Sequence, residues 1–181
     1  MHRQEIFDLL SRYRPADEQD RLTLRRFQTF VTDNPRCFER SLLSGHLTGS
    51  AWIVDPRRSQ TLLTLHHRLS RWLQPGGHAD GDPDMLAVAR REAREETGLT
   101  GLRLLSPLIF DLDVHPIPAT PTAPPHFHYD VRFIFEADPA EPLTISRESK
   151  ELGWVVLDAL PQYNPEPSLL RMARKTKTFS G

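Results

Sequence analysis

Residues 77–99 read GHADGDPDMLAVARREAREETGL, and how this stretch divides decides how the rest of the chain is read. The polar turn HADGDPD (78–84) gives way at Met85 to good helix formers with no breaker before Gly98, so a helix over 85–97 is expected, stopped by glycine. At about 100° per residue, Glu92, Glu95 and Glu96 fan over one face, while Leu86, Ala89 and Ala93 fall on another and can pack. Carboxylates at i, i+4 repel by roughly a few tenths of a kcal/mol. Taken alone, such a trio is most often a solvated face. A divalent cation would turn the same repulsion into a site, and clustered oxygen ligands suit Mg²⁺ or Mn²⁺ rather than copper or thiolate-bound zinc.

Upstream of the central helix, Ser50–Val54, Thr61–Leu65 and the Trp72 region are short, apolar and bounded by Asp-Pro, Arg-Arg and Pro-Gly-Gly, which reads as strands. Further upstream, Ile6, Leu9, Leu10 and Tyr13 keep helical spacing until Pro15. Asp17 can cap a second helix, in which Leu24, Phe27 and Val31 share a face before Asn34-Pro35 stops it. The N-terminal part is therefore expected to be a helical hairpin. Downstream, strands are expected at 102–114, 126–137 and 152–157, with a short helix near 168–175 and a semi-rigid proline loop at 115–125. Strands around one well-defined helix, then a last helix, indicate a layered α/β or α+β domain behind a helical extension.

The quoted stretch resembles the Nudix box, GX5EX7REUXEEXGU with U a bulky aliphatic residue. Arg91, Glu92, Ala93, Glu95, Glu96, Gly98 and Leu99 stand in register, and Gly77 lies at the required distance before Arg91. The departure is at the first glutamate of the pattern, where Pro83 stands between Asp82 and Asp84. In the family that glutamate supports the box arginine, so Asp82 or Asp84 is expected to serve Arg91 in its place. The resemblance implies an α/β fold, a Nudix-type α/β/α sandwich with a mixed sheet, here preceded by the helical hairpin. The division it suggests is an extension over 1–44 and a hydrolase domain over 45–181. It also implies that Glu92, Glu95, Glu96 and the Gly76 carbonyl bind Mg²⁺ or Mn²⁺, that Arg91 orients a glutamate, and that a carboxylate from a later loop joins the catalytic set. In RESKELGWV (147–155), Glu148 is the residue expected there, ahead of Glu151.

In HFHYDVRFIFEA (126–137), Phe127, Tyr129, Val131, Phe133 and Phe135 alternate with His126, His128, Asp130 and Arg132. The aromatic set is expected in the core and the polar set toward a cleft or solvent. His126, His128 and Asp130 can contact substrate oxygens or, with His115, bind a second metal, and these readings stay open. His66, Arg68 and His78 are further substrate-binding candidates. Neighbours on a strand face opposite ways, so at most one of His66 and His67 is expected in the pocket.

The chain has 181 residues, 23 Lys plus Arg against 24 Asp plus Glu, and a formal net charge of -1. No whole-molecule field holds a nucleic acid or an anionic membrane, so neither partner is expected, and RMARKTK (171–177) reads as a solvated helix end. The single cysteine, Cys37, excludes an internal disulfide and a multi-cysteine zinc cluster. It also lies far from the strands around the box, which argues against an isopentenyl-diphosphate isomerase, a relative that uses a catalytic cysteine. With no signal-peptide core and no apolar run of membrane-span length, a cytoplasmic protein is expected. The resulting expectation is a metal-dependent hydrolase acting on the diphosphate linkage of a nucleoside diphosphate derivative. The alternative is a catalytically weak nucleotide-binding or regulatory protein on the same scaffold. The hairpin either covers the pocket or forms the interface of a homodimer.

Overall fold

Gly45–Val54 (β1) is buried at all of its 10 positions, which requires cover on both faces and pairing on both edges. One edge pairs in parallel with His126–Glu136 (β7), from Gly45 beside Phe127 to Val54 beside Glu136. The other edge is shared by two antiparallel partners in succession. Gly76–His78 (β4) lies along Thr48–Ser50, and Gln60–His66 (β2) joins only at Ile53–Val54. This fork opens the sheet beside the glycine pair. Along the edge of β2 that meets β1, Trp72–Leu73 (β3) follows β1, and the other edge of β2 pairs with Ser149–Val156 (β8). Beyond β7 lie Arg103–Leu104 (β5) and Asp111–Ile117 (β6), completing an eight-stranded mixed sheet. The chain is represented by a computed structural model that describes residues 2–67, 69–120, 123–147 and 149–179.

The helix of the opening stretch, Met85–Thr97 (α3), has the expected bounds, with the Asp84 side chain accepting from the Ala87 amide and Gly98 closing it at φ +75°. It lies on one sheet face together with Gln4–Arg12 (α1) and Glu18–Asp33 (α2). Ile6, Leu10, Phe27 and Val31 of the hairpin share one apolar cluster with Leu47, Met85, Val88 and Phe133. Asp17 caps α2 through the Asp20 amide at 2.8 Å, as its position predicts. On the opposite face, Trp52, Val54, Leu63 and Ile134 pack with Leu160 of the short helix Leu160–Tyr163 (α4) and with Leu169 and Met172 of Pro167–Thr178 (α5). The result is an α/β/α sandwich behind two N-terminal helices.

Three expectations change. The strand foreseen at 102–114 is two strands separated by 105–110, and β6 runs on into the proline segment as far as Ile117. Pro116 is tolerated because among the described residues β6 pairs with β7 alone, and an edge strand can spare an amide. Phe127, expected in the core, is 36% exposed at the sheet margin, with the Arg26 guanidinium 4.3 Å above its ring. The C-terminal cations are not all solvated. Arg171 reaches both Asp111 carboxylate oxygens at 2.8 Å, and Lys175 meets Asp111 and Asp20 at 2.8 and 2.9 Å. α5 lies along the sheet, so its inward cations find carboxylates instead of water.

Candidate active site

The pairing of β4 along β1 decides what fits around the glycine pair. A Cβ on Gly76 would stand 2.2 Å from Ser50 Oγ, and one on Gly77 would stand 2.4 Å from Glu92 Oε2. The missing side chain at Gly77 is thus the space the Glu92 carboxylate occupies. Glu96 is buried and accepts the Gly76 amide at 3.0 Å. Glu95 is exposed, and Glu92 is half-buried. Glu92 and Glu95 share a cleft of 840 Å³ with Gly77, His78 and Arg91. Arg91 donates to Glu92 Oε1 at 2.9 Å and to the His78 carbonyl at 3.0 Å. The Glu92 hydrogen bond raises the Arg91 pKa further above an already high value.

The position vacated at Pro83 is filled in part. Asp82 lies 3.8 Å from Arg91, whereas Asp84 is occupied with the helix cap. Of the two carboxylates expected to serve the arginine, Asp82 is the one in place.

Around the carboxylates the cleft is basic. Arg40 enters from the segment after α2 and holds Asp80 through both oxygens, which keeps the Asp80 carboxyl below its ordinary range. Arg147 and His66 line the same space. His67 lines it too, against the expectation that at most one of the pair would. β2 ends at His66, and His67 sits in the following turn, where strand alternation no longer applies. Arg40 was not singled out in the sequence, and no local signal there marks it. Arg68 and Glu148, both expected at the site, lie outside the described residues.

The remaining candidates lie on the α5 face of the sheet. Asp130 is buried and accepts from Thr48 at 3.0 Å, Ser50 at 2.7 Å and Arg132 at 2.7 Å. Arg132 also meets Asp111 and Asp113, so the polar set of β7 is in part an internal charge network rather than a cleft wall. Burial alone would raise the Asp113 carboxyl. Arg132, then His115, hold it far below the usual range.

His126 and His128 belong to a different group. The parallel register sets His46 beside His128, β6 brings His115 opposite His128, and β4 adds His78. The His46 ring lies within 5.0 Å of the rings of His78, His126 and His128. Burial, then the neighbouring imidazoles, push His46 down to about 4, and His128 lower again, so both rings are neutral near pH 7. His46 was missed in the sequence because only the β1–β7 pairing gives it histidine neighbours.

The donor set on α3 suits a hard divalent ion. It offers carboxylate oxygens, one of them seated where a Cβ would otherwise be, beside the backbone of a glycine pair.

Comparison with known proteins agrees with the architecture. The NUDIX domain family model matches residues 46–175. No curated protein matches the chain. Among solved structures, a C. elegans Ap4A hydrolase binary complex superposes with a TM-score of 0.58 at 18% identity, covering 74% of this chain and 96% of that one. A NUDIX family hydrolase from Clostridium perfringens gives 0.54 at 24% identity, covering 74% and 97%. The NUDIX domain of Shewanella oneidensis NrtR complexed with ADP ribose gives 0.51 at 15% identity, covering 83% and 96%.

Proposed function

The chain belongs to the Nudix family and is a Nudix-type pyrophosphohydrolase, and from that premise we propose that it hydrolyses the diphosphate linkage of a nucleoside diphosphate derivative with Mg²⁺ or Mn²⁺. The observation that carries this reading is the meeting of Glu92 and Glu95 with Arg40, Arg91 and Arg147 around one cleft large enough for a nucleotide. A dinucleoside polyphosphate hydrolase and an ADP-ribose complex among the structural neighbours support a nucleotide substrate.

In this reading Glu92, Glu95, Glu96 and the Gly76 carbonyl hold the ion. When bound, such an ion neutralises charge building on the diphosphate and makes a water molecule more acidic. Arg91 fixes the Glu92 carboxylate by hydrogen bonding and is itself held by Asp82 and the His78 carbonyl. Arg40, Arg147, His66 and His78 line the cleft as donors to phosphate oxygens. Water adds to one phosphorus as the bridging P–O bond breaks, and the departing phosphate keeps the bonding electrons. A carboxylate takes the proton that the water loses. Glu148, which follows the cleft-lining Arg147 in the chain, is our assignment for that base. We further assign 1–44 as the extension and 45–181 as the hydrolase module, in a cytoplasmic protein. Among the described residues no helix is long and apolar enough to cross a membrane.

Incubation with nucleoside diphosphate sugars, ADP-ribose and dinucleoside polyphosphates, with each metal and with products resolved chromatographically, tests the proposal. Glu95→Gln and Glu96→Gln should each lower turnover by about 100-fold or more, the scale on which loss of a transition-state charge partner is felt. Unchanged turnover in both variants would refute it. A nucleotide-binding regulator is the second reading, favoured only by the ADP-ribose-bound neighbour. Tight nucleotide binding with no product in any combination would select it.

A further inference from the structure

Of the five histidines grouped on the α5 face, only His78 also lines the cleft, and the other four have no role in the reaction just described. Neither ring nitrogen of His46 makes a hydrogen bond of good geometry among the described residues, the Leu42 backbone coming near the ring, although the ring is only 3% exposed, and His128 Nε2 is likewise buried without a partner. Buried polar nitrogens are ordinarily satisfied, because leaving one unpaired costs about 1–3 kcal/mol. Here several, on His46 and His128, are unpaired within one small volume. One ring nitrogen from each of His46, His78 and His128 lies within 4.8 Å of the other two.

We propose that His46, His78 and His128 form a binding site for a borderline-soft transition-metal dication of the Zn²⁺ class, distinct from the carboxylate site on α3. Imidazole nitrogen suits such an ion and suits Mg²⁺ poorly. Nitrogens bound to a tetrahedral ion at about 2.0–2.1 Å stand about 3.3 Å apart. Small ring rotations therefore close the present spacing without moving the three strands. A bound ion would take up a nitrogen of His46 and one of His128 that otherwise lack a well-placed partner.

The two other histidines of the group are held by polar partners of their own. His115 Nδ1 faces the Asp113 carboxylate at 3.0 Å, and His126 Nδ1 faces the Pro124 carbonyl at 2.8 Å. The His115 and His126 rings stand 5.5 and 5.3 Å from that of His128, forming a second rank behind the three ligands. Three protein nitrogens leave the fourth tetrahedral position to water or an anion. His78 also lines the main cleft, so the ion would bring positive charge to a wall where the buried imidazoles are neutral. The proposal does not depend on the hydrolase reading, since it concerns metal binding alone.

The test uses the full chain, stripped with EDTA and then held in millimolar Mg²⁺ so that the carboxylates are occupied. Co²⁺ is added while the visible d–d bands are recorded, and Zn²⁺ is then titrated in. One equivalent of Co²⁺ should give intense tetrahedral bands that one equivalent of Zn²⁺ abolishes. X-ray absorption of the zinc form should show a first shell of nitrogen and oxygen with imidazole scattering. His46→Gln and His128→Gln should each lose the bands, while Glu95→Gln keeps them. Should either buried variant fail to unfold cooperatively in EDTA, His78→Gln at the more accessible ligand replaces it, with the same loss expected. The absence of bands in the wild type overturns the proposal. So does their survival in the histidine variants, or their loss in Glu95→Gln.

Discussion

A methyl group at Gly77 would lie 2.4 Å from Glu92 Oε2 and 2.6 Å from its Cδ, well inside van der Waals contact. The atoms it meets are the end of a flexible side chain, so Gly77→Ala should displace the carboxylate and leave the fold in place. We expect divalent-metal-dependent turnover to fall by roughly 10- to 100-fold, the range felt when a metal site loses its positioning. The thermal midpoint should change by only a few degrees. Unaltered kinetics with Mg²⁺ and Mn²⁺ would mean that Glu92 needs no such seat. The residue scale also shows where the box tolerates change. Pro83 cannot hold Arg91, and Asp82 approaches it at 3.8 Å with both side chains more than a third exposed. Such a pair is worth at most about 1 kcal/mol, so Arg91 is held chiefly by Glu92 and the His78 carbonyl.

At the scale of elements, the contact that sets the site is α3 against β1. Gly49 lets it form, because a Cβ there would stand 2.9 Å from Val88 Cγ1 and 3.1 Å from both the Ala89 nitrogen and the Met85 oxygen. Unlike the Gly77 case, two of these three atoms are helix backbone, so relief requires the helix to move. Gly49→Ala should therefore cost about 1–3 kcal/mol through overpacking, lowering the melting temperature by roughly 3–10 °C on the size scaling for such a chain. A melting temperature within a degree of wild type would show the helix freer than this packing implies. The same contact explains how three glutamates coexist on one helix. Their repulsion is a few tenths of a kcal/mol per pair, whereas burial of Met85 and Val88 alone stabilises α3 by roughly 3 kcal/mol or more. Packing wins, so the carboxylates are held together before any ion arrives.

Across the whole molecule, a buried charge network joins parts far apart in sequence. Lys175 of α5 donates to Asp20 of α2, to Asp111 of β6 and to the Tyr13 hydroxyl, which in turn donates to Asp20 at 2.7 Å. Burial, then Asp111, push the Tyr13 phenol far above its ordinary value, so it stays a donor. Arg132 and Arg171 extend the network to Asp113. Because the Asp113 carboxyl is depressed in the folded state, its contribution is complete above the unfolded value near about 4 and is lost as pH falls below it. Thermal unfolding of the EDTA-treated protein from pH 6 down to pH 2 should show an acid limb that is shallower in Asp113→Asn. Superimposable limbs would remove Asp113 from the network's stabilising set. The sequence by itself determined the bounds of α3, the cap at Asp17, the aliphatic and aromatic face of β7, and the carboxylates on one helix face. These follow from spacing along a single element, which fixes direction once the period is known. It also placed Gly77 and Arg91, because the box holds them at fixed distance from the glutamates. Only the tertiary structure decided that Arg40 enters the cleft, that His67 joins His66, and that the C-terminal cations turn inward. Only it set His46 between His78 and His128, since three residues from three strands become neighbours through sheet register, which long-range pairing sets and no local pattern records.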